Sequence, residues 1–108
     1  MTSTEPIKIQ KIAKSRVGEY DVNNVPFGKV FSDHMFVAEY KDGKWQQGSI
    51  MPYQDVPMSL ALSALHYGQA IFEGMKAYKT STGDINLFRP LDNFKRLNIS
   101  AVRMAMPE

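Results

Sequence analysis

Residues suited to chemistry fall in two stretches. In "LDNFKRLNISAVRMAM", residues 91–106, the side chains of Asn93, Arg96, Ser100 and Arg103 form one stripe of a helical wheel, bordering an apolar face of Phe94, Leu97, Ala101, Met104 and Ala105. A guanidinium at the edge of a core, with a hydroxyl one turn away, suits a phosphate or a carboxylate, because its fork of donors meets two oxygens at once. The plainer alternative is a solvated face in which Asp92 pairs with Arg96 at i,i+4. In "ALHYGQAIFEGMKAY", residues 64–78, Tyr67 and Phe72 border the apolar arc of a second helical pattern. Gly68 sits in the middle of that arc, where a missing side chain lets something approach the backbone. Such an arrangement can wall an apolar pocket, or it can be a pair of core aromatics with a glycine helix contact.

Other chemistry finds less support. His34 and His66 have no second ligand at i+3 or i+4, so a metal site is not indicated. Asp33 and His34 are neighbours on a strand-like run and point to opposite faces, which argues against a catalytic dyad. There is no cysteine, hence no disulfide framework or thiol nucleophile, in keeping with a reducing compartment, and cytoplasm is the expected location. A formal charge of +2, with lysines spread along the chain, does not make a nucleic-acid surface. No run approaches the roughly 18 apolar residues of a membrane span, and "MTSTEPIKIQ" has no signal-peptide core.

The elements that must position these residues are those of an α+β domain, an antiparallel-rich sheet with two main helices packed on it. Residues 1–6 read as a disordered tail and residues 7–108 as the domain, which is expected to be incomplete. "IKIQKIA" alternates as a half-buried strand with Ile7 and Ile9 inward and Ile12 as a third candidate. "SRVGEYDVNNVP" reads as a loop, and "FGKVF" and "HMFVAEY" as β-rich runs. The Asp-Gly of "KDGKW" joins the second of these to "WQQGSIMPY" in a hairpin. A helix is expected over residues 59–75, with Gly74 as its stop. "KAYKT" and "INLFRP" then make a second hairpin around Gly83-Asp84, and Pro90 opens the last helix.

Three blocks carry a more specific signal: "FGKVFSDHMF", "ALHYGQAIFEGMKAY" and "LFRPLDNFKRLNISAVRMAMP". In that order and at that separation they resemble the N-terminal domain of branched-chain amino acid aminotransferases, pyridoxal-phosphate enzymes of fold type IV. The resemblance covers nearly the whole chain and is strongest from Phe27 to Pro107. It implies that Arg96, in "KRL", grips the phosphate of pyridoxal 5'-phosphate. It also implies that Tyr67 and Phe72 line the pocket for the substrate's hydrocarbon part, with Phe27 of "FGKVF" as a third wall; Arg103 and His66 are left as structural.

The same resemblance implies substrates: branched-chain amino acids with their 2-oxo acids, and the glutamate/2-oxoglutarate pair. It implies a homodimer in the full-length enzyme, with no nucleic acid or membrane as partner. It also sets a limit. The family's Schiff-base lysine lies in a larger C-terminal domain, and no lysine of this chain matches it, so the sequence is expected to be an N-terminal piece that does not transaminate alone. The alternatives are another fold type IV enzyme, such as a D-amino acid aminotransferase or aminodeoxychorismate lyase, and a non-enzymatic α+β anion-binding module.

Overall fold

Short-range rules account for most of the elements in the computed structural model, which describes residues 5–108. Contacts cluster in two compact units, residues up to Pro57 and Met58–Glu108. The first unit is built on strand β2 (His34–Val37), which pairs antiparallel with β5 (Ser49–Pro52) in the register Phe36↔Ile50, while β1 (Lys8–Ile9) adds to the other edge of β5 in parallel. Between β2 and β5 the chain turns through β3 (Tyr40–Lys41) and β4 (Lys44–Trp45). Asp42 and Gly43 both take positive φ, 54° and 74°. That pair of angles is the hairpin turn that matches strand twist and favours Asp-Gly.

Gly48, just before β5, is buried under the ring of Phe36, and a Cβ built there would lie 2.6 Å from two ring carbons. Stacking of Phe31 on Tyr53 at 4.7 Å and an edge-to-face pair of Tyr40 and Trp45 at 5.3 Å close the unit. Two expectations need correcting here. Ile7 and Ile9 are exposed, because the strand is only two residues long and pairs through its backbone; Ile12 alone of the three is half-buried. "FGKVF" forms no strand: Gly28 has φ +71° and the Lys29 N–H donates to the Pro26 carbonyl at 3.3 Å, which makes a turn. The loop expected after "IKIQKIA" is a loop, with one 3-10 turn at Val17–Glu19. Of the tail expected at residues 1–6, residues 1–4 lie outside the described ones, and the Pro6 carbonyl accepts a bond from Gln47 Nε2 at 2.8 Å.

The second unit contains α1 (Ser63–Tyr67), the hairpin of β6 (Ala77–Lys79) with β7 (Ile85–Leu87), and α2 (Pro90–Arg103). The hairpin turn is tied by Thr80, whose N–H reaches Asp84 at 2.9 Å and whose carbonyl accepts from Gly83 at 3.0 Å. The helix expected over residues 59–75 is instead five residues long. It ends at Gly68, which is left-handed at φ 62° and caps α1, so this glycine is a terminator rather than a gap in a continuing helical face. Residues 69–76 run on without regular structure, fastened to the end of α2 by Gln69 Nε2 donating to the Met104 carbonyl at 2.8 Å.

Pro90 occupies the first turn of α2, as its fixed φ allows. The inward stripe of this helix is Asn93, Leu97, Ser100, Ala101 and Met104, whereas Phe94 and Ala105 are exposed. The wheel drawn from hydrophobicity is therefore slightly out of phase. Its cause is polar: the Asn93 amide turns inward to bond the chain at Glu73 and Gly74. Architecture is thus mixed α and β, with small, mainly antiparallel sheets and two helices. Among the described residues Ala101, 3% exposed, is the one apolar side chain that is buried, and no helix is long and apolar enough to cross a membrane.

Candidate functional site

The second unit brings one cluster of polar groups together. Glu73 sits just after Phe72 in the irregular run, and its carboxylate receives four donors. Arg96 Nε reaches Oε2 at 2.7 Å and Arg96 Nη2 reaches Oε1. Asn93 Nδ2 reaches Oε1 at 3.1 Å, as does the backbone N–H of Gly74. Asn93 also donates to the Gly74 carbonyl at 2.8 Å. Asn93 and Arg96 are three apart on α2, so they share a face and meet the same carboxylate. The Glu73 side chain is 12% exposed and that of Arg96 67% exposed.

Charge follows geometry. Hydrogen bonds from Arg96 hold the Glu73 carboxyl at about 2, well below the usual carboxylate range, with Asn93, the arginine's charge and the Gly74 N–H acting in the same direction against desolvation. Glu73 in turn raises the affinity of the guanidinium for its proton. The i,i+4 pair of Asp92 with Arg96 does not form. Asp92 instead bonds Arg89 at 2.6 Å and lies 4.0 Å from Lys95.

Arg96 meets Glu73 with the edge made by Nε and Nη2, and its Nη1 makes no hydrogen bond among the described residues. A hollow of about 250 Å³, lined by Phe88, Arg89, Asp92, Asn93 and Arg96, lies beside it. A second of about 480 Å³ is lined by Gly74, Met75, Lys76, Tyr78, Phe88 and Asn93. The donor set fits a phosphate in kind: a guanidinium with free N–H groups, exposed at a concave surface and fixed on its other edge.

The aromatic residues singled out by sequence stand elsewhere. Tyr67 closes α1 and Phe72 precedes Glu73; both are largely exposed, and neither lines the hollow at Arg96 or the one at Gly74 and Asn93. Phe27, in the turn of the first unit, is fully exposed. His66 Nε2 lies 2.6 Å from the Leu60 carbonyl, a local bond back to the turn that precedes α1. No group of three or more His, Cys, Asp or Glu residues able to hold a metal occurs among the described residues.

Comparison with known proteins gives this cluster its setting. The chain is 48% identical over 88 residues to branched-chain-amino-acid transaminase 1 of Bacillus subtilis, which covers 81% of this chain and 25% of the relative. It is 44% identical over 106 residues to a probable branched-chain-amino-acid aminotransferase of Staphylococcus epidermidis, covering 97% of this chain and 29% of the relative. The chain belongs to the branched-chain-amino-acid aminotransferase family. A Helicobacter pylori member matches at 44% identity over 88 residues, 82% of the chain and 26% of its own length. No family model matches the chain. It spans between a quarter and a third of the length of these curated relatives.

Sequence reasoning missed Glu73 and the role of Asn93. Glu73 lies within the helix expected over residues 59–75, which stops at Gly68 before reaching it, and Asn93 belongs to a stripe whose inward contact no local pattern shows. The available signal was a carboxylate at the end of an apolar run, in "FEG", with an arginine 23 residues later at the border of an amphipathic helix.

Proposed function

We propose that the chain is the small N-terminal domain of a pyridoxal-phosphate-dependent branched-chain amino acid aminotransferase of fold type IV, transferring the amino group of leucine, isoleucine or valine to 2-oxoglutarate. Residues 7–108 belong to that domain, with residues 1–6 as its tail, and the remainder of the enzyme supplies the lysine that anchors the cofactor. The enzyme works as a cytoplasmic homodimer. Carrying the reading is the free Nη1 edge of Arg96 at a concave surface, in a chain similar to these aminotransferases.

When bound, the cofactor supplies the electron sink and carries the amino group. This chain's own share is binding and orientation. Arg96 donates to the cofactor phosphate, as a charge-assisted pair that places the group. Tyr67 and Phe72 offer exposed ring surface that the substrate's branched side chain covers, at about 25 cal/mol per Å² removed from water, and the family resemblance gives Phe27 the same kind of role. Such a pocket selects hydrocarbon without naming one of the three amino acids. The many exposed apolar side chains, Leu60, Phe88 and Leu91 among them, give the rest of the enzyme a surface to cover.

Assay of the full-length protein with each L-branched-chain amino acid and 2-oxoglutarate tests the reading. Glutamate formation is expected there and none from the 108-residue chain alone. Turnover by the short chain at an enzyme-like rate, or a full-length protein that uses D-amino acids in place of leucine, overturns it.

A further inference from the structure

The Glu73 carboxylate is held from three directions: by its own backbone at Gly74, by Asn93 in the first turns of α2, and by Arg96 one turn further on. It is nearly covered, while the arginine it holds is mostly exposed. An arginine on a helix surface samples many rotamers, and a ligand that binds it must first select one. Here the Nε and Nη2 edge is already fixed, Nη1 makes no hydrogen bond among the described residues, and Arg96 lines the neighbouring hollow.

We propose that Glu73, seated by Asn93, is the positioning residue for Arg96, holding the inner edge of its guanidinium so that the outer edge is presented to the phosphate of the cofactor. This rests on the reading of Arg96 as the phosphate ligand. The alternative physics has the opposite sign. A carboxylate beside a phosphate repels it, so a Glu73 that merely competed for Arg96 would weaken binding, and removing its charge would strengthen it. Geometry favours positioning. All four donors converge on a fixed carboxylate that uses one edge of the guanidinium and leaves the other open, which is the arrangement of preorganisation rather than of a gate.

The test uses the full-length protein without cofactor. The probe is the ratio of affinities for pyridoxine 5'-phosphate and pyridoxine, which lack the aldehyde, so that the ratio isolates the phosphate contribution. Glu73→Gln is expected to lower that ratio about 5-fold, the scale of leaving one rotamer-rich side chain to be immobilised by the ligand. Arg96→Ala lowers it further, and the double variant is no worse than Arg96→Ala alone. Asn93→Ala, which keeps both charges, lowers it about 2-fold, on the same scale of partial loss of order. Nitrogen-15 NMR of the ligand-free protein supplies a signature that stability alone does not move: the two Arg96 Nη signals are separate in the parent and merge in Glu73→Gln. A ratio unchanged or raised in Glu73→Gln, with Arg96→Ala still impaired, removes Glu73 from the role and leaves the phosphate reading standing. A ratio unaffected by Arg96→Ala removes the phosphate reading itself, and the positioning role with it.

Discussion

Each unit of the molecule contains a carboxylate that gathers several donors around one arginine, Asp33 with Arg16 and Glu73 with Arg96, and the two knots differ in what else the arginine holds. In the first unit Asp33 accepts from Ser15 Oγ at 2.6 Å, from the Arg16 N–H at 3.1 Å and from Arg16 Nε at 3.3 Å. Arg16 Nη2 then donates to the carbonyls of Phe31 and Ser32, at 3.3 and 3.2 Å. That guanidinium ties a loop to the start of β2 and is directed at its own backbone. In the second unit Arg96 meets a single carboxylate with two nitrogens and turns the rest outward. Two arginines with the same kind of partner are therefore engaged differently, one tying a loop to backbone carbonyls and the other paired side by side with one carboxylate. What separates them is where Nη2 goes, to two backbone carbonyls in Arg16 and to the same carboxylate in Arg96, while Nη1 makes no hydrogen bond in either among the described residues.

The largest expected effect comes from exchanging the two knots in experiment. In the full-length protein Arg96→Ala should lower the affinity for pyridoxine 5'-phosphate by on the order of tenfold to a hundredfold, the range for losing charge-assisted hydrogen bonds. Arg16→Ala should leave that affinity within about 2-fold, a change too small to count as a lost hydrogen bond, and lower the melting temperature instead. Equal losses of affinity in both variants would erase the distinction drawn here.

Next in size is a substitution that harms the first unit alone. Gly48→Ala places a methyl 2.6 Å from the Phe36 ring, in the segment that carries the β1 and β5 pairing. Overpacking of this kind costs about 1–3 kcal/mol. Calorimetry or denaturant unfolding should show that loss, with the phosphate-dependent affinity intact. If affinity falls in parallel, the two units are not separable in function.

How much of this was legible beforehand depended on range. Both hairpins were readable from Asp42-Gly43 and Gly83-Asp84, because a short turn, two residues in the first hairpin and residues 80–84 in the second, is decided by the residues in it. Pro90 marked the start of α2 for the same reason. α1 was read too long because apolar periodicity continues past Gly68, whereas the chain takes a left-handed turn there and is then held by Gln69 reaching Met104, 35 residues away. Arg96 was found as the edge of an amphipathic pattern. Its partner Glu73 was not, since no local rule connects residues 23 apart.

Acid sharpens the comparison further. Both carboxyls have folded-state affinities for protons below the ordinary value: Asp33 through the Ser15 hydroxyl first and the Arg16 N–H next, Glu73 through Arg96. A carboxyl depressed in the folded state contributes stability above its unfolded pKa, and the contribution is lost as pH falls toward the folded one. For Glu73 that window runs from 4.5 down to about 2. Stability of the parent should fall more steeply across it than that of Glu73→Gln, and Asp33→Asn should flatten the acid limb that begins near 3.8. Parallel acid limbs in parent and Glu73→Gln would mean that the Glu73–Arg96 pair is absent in solution.

The smallest effect concerns how each unit fills a left-handed backbone position. The turn between β3 and β4 puts glycine, Gly43, at one of its two positive-φ sites. At the end of α2 the Met106 N–H returns to the Ala101 carbonyl at 2.9 Å and the Ala105 N–H to Val102 at 3.2 Å, a Schellman closure whose left-handed residue, φ 53°, is Ala105. Alanine there carries a steric cost that glycine does not, which outweighs the extra freedom glycine has in the unfolded chain. Ala105→Gly should therefore stabilise the protein, by about 0.5–1 kcal/mol, measured by denaturant midpoint at constant slope. Because this closure also presents the Met104 carbonyl to Gln69, the gain should persist in Arg96→Ala and diminish in Gln69→Ala. A gain that instead disappears with Arg96 would tie the C-terminus of α2 to the Glu73–Arg96 cluster nearer its start.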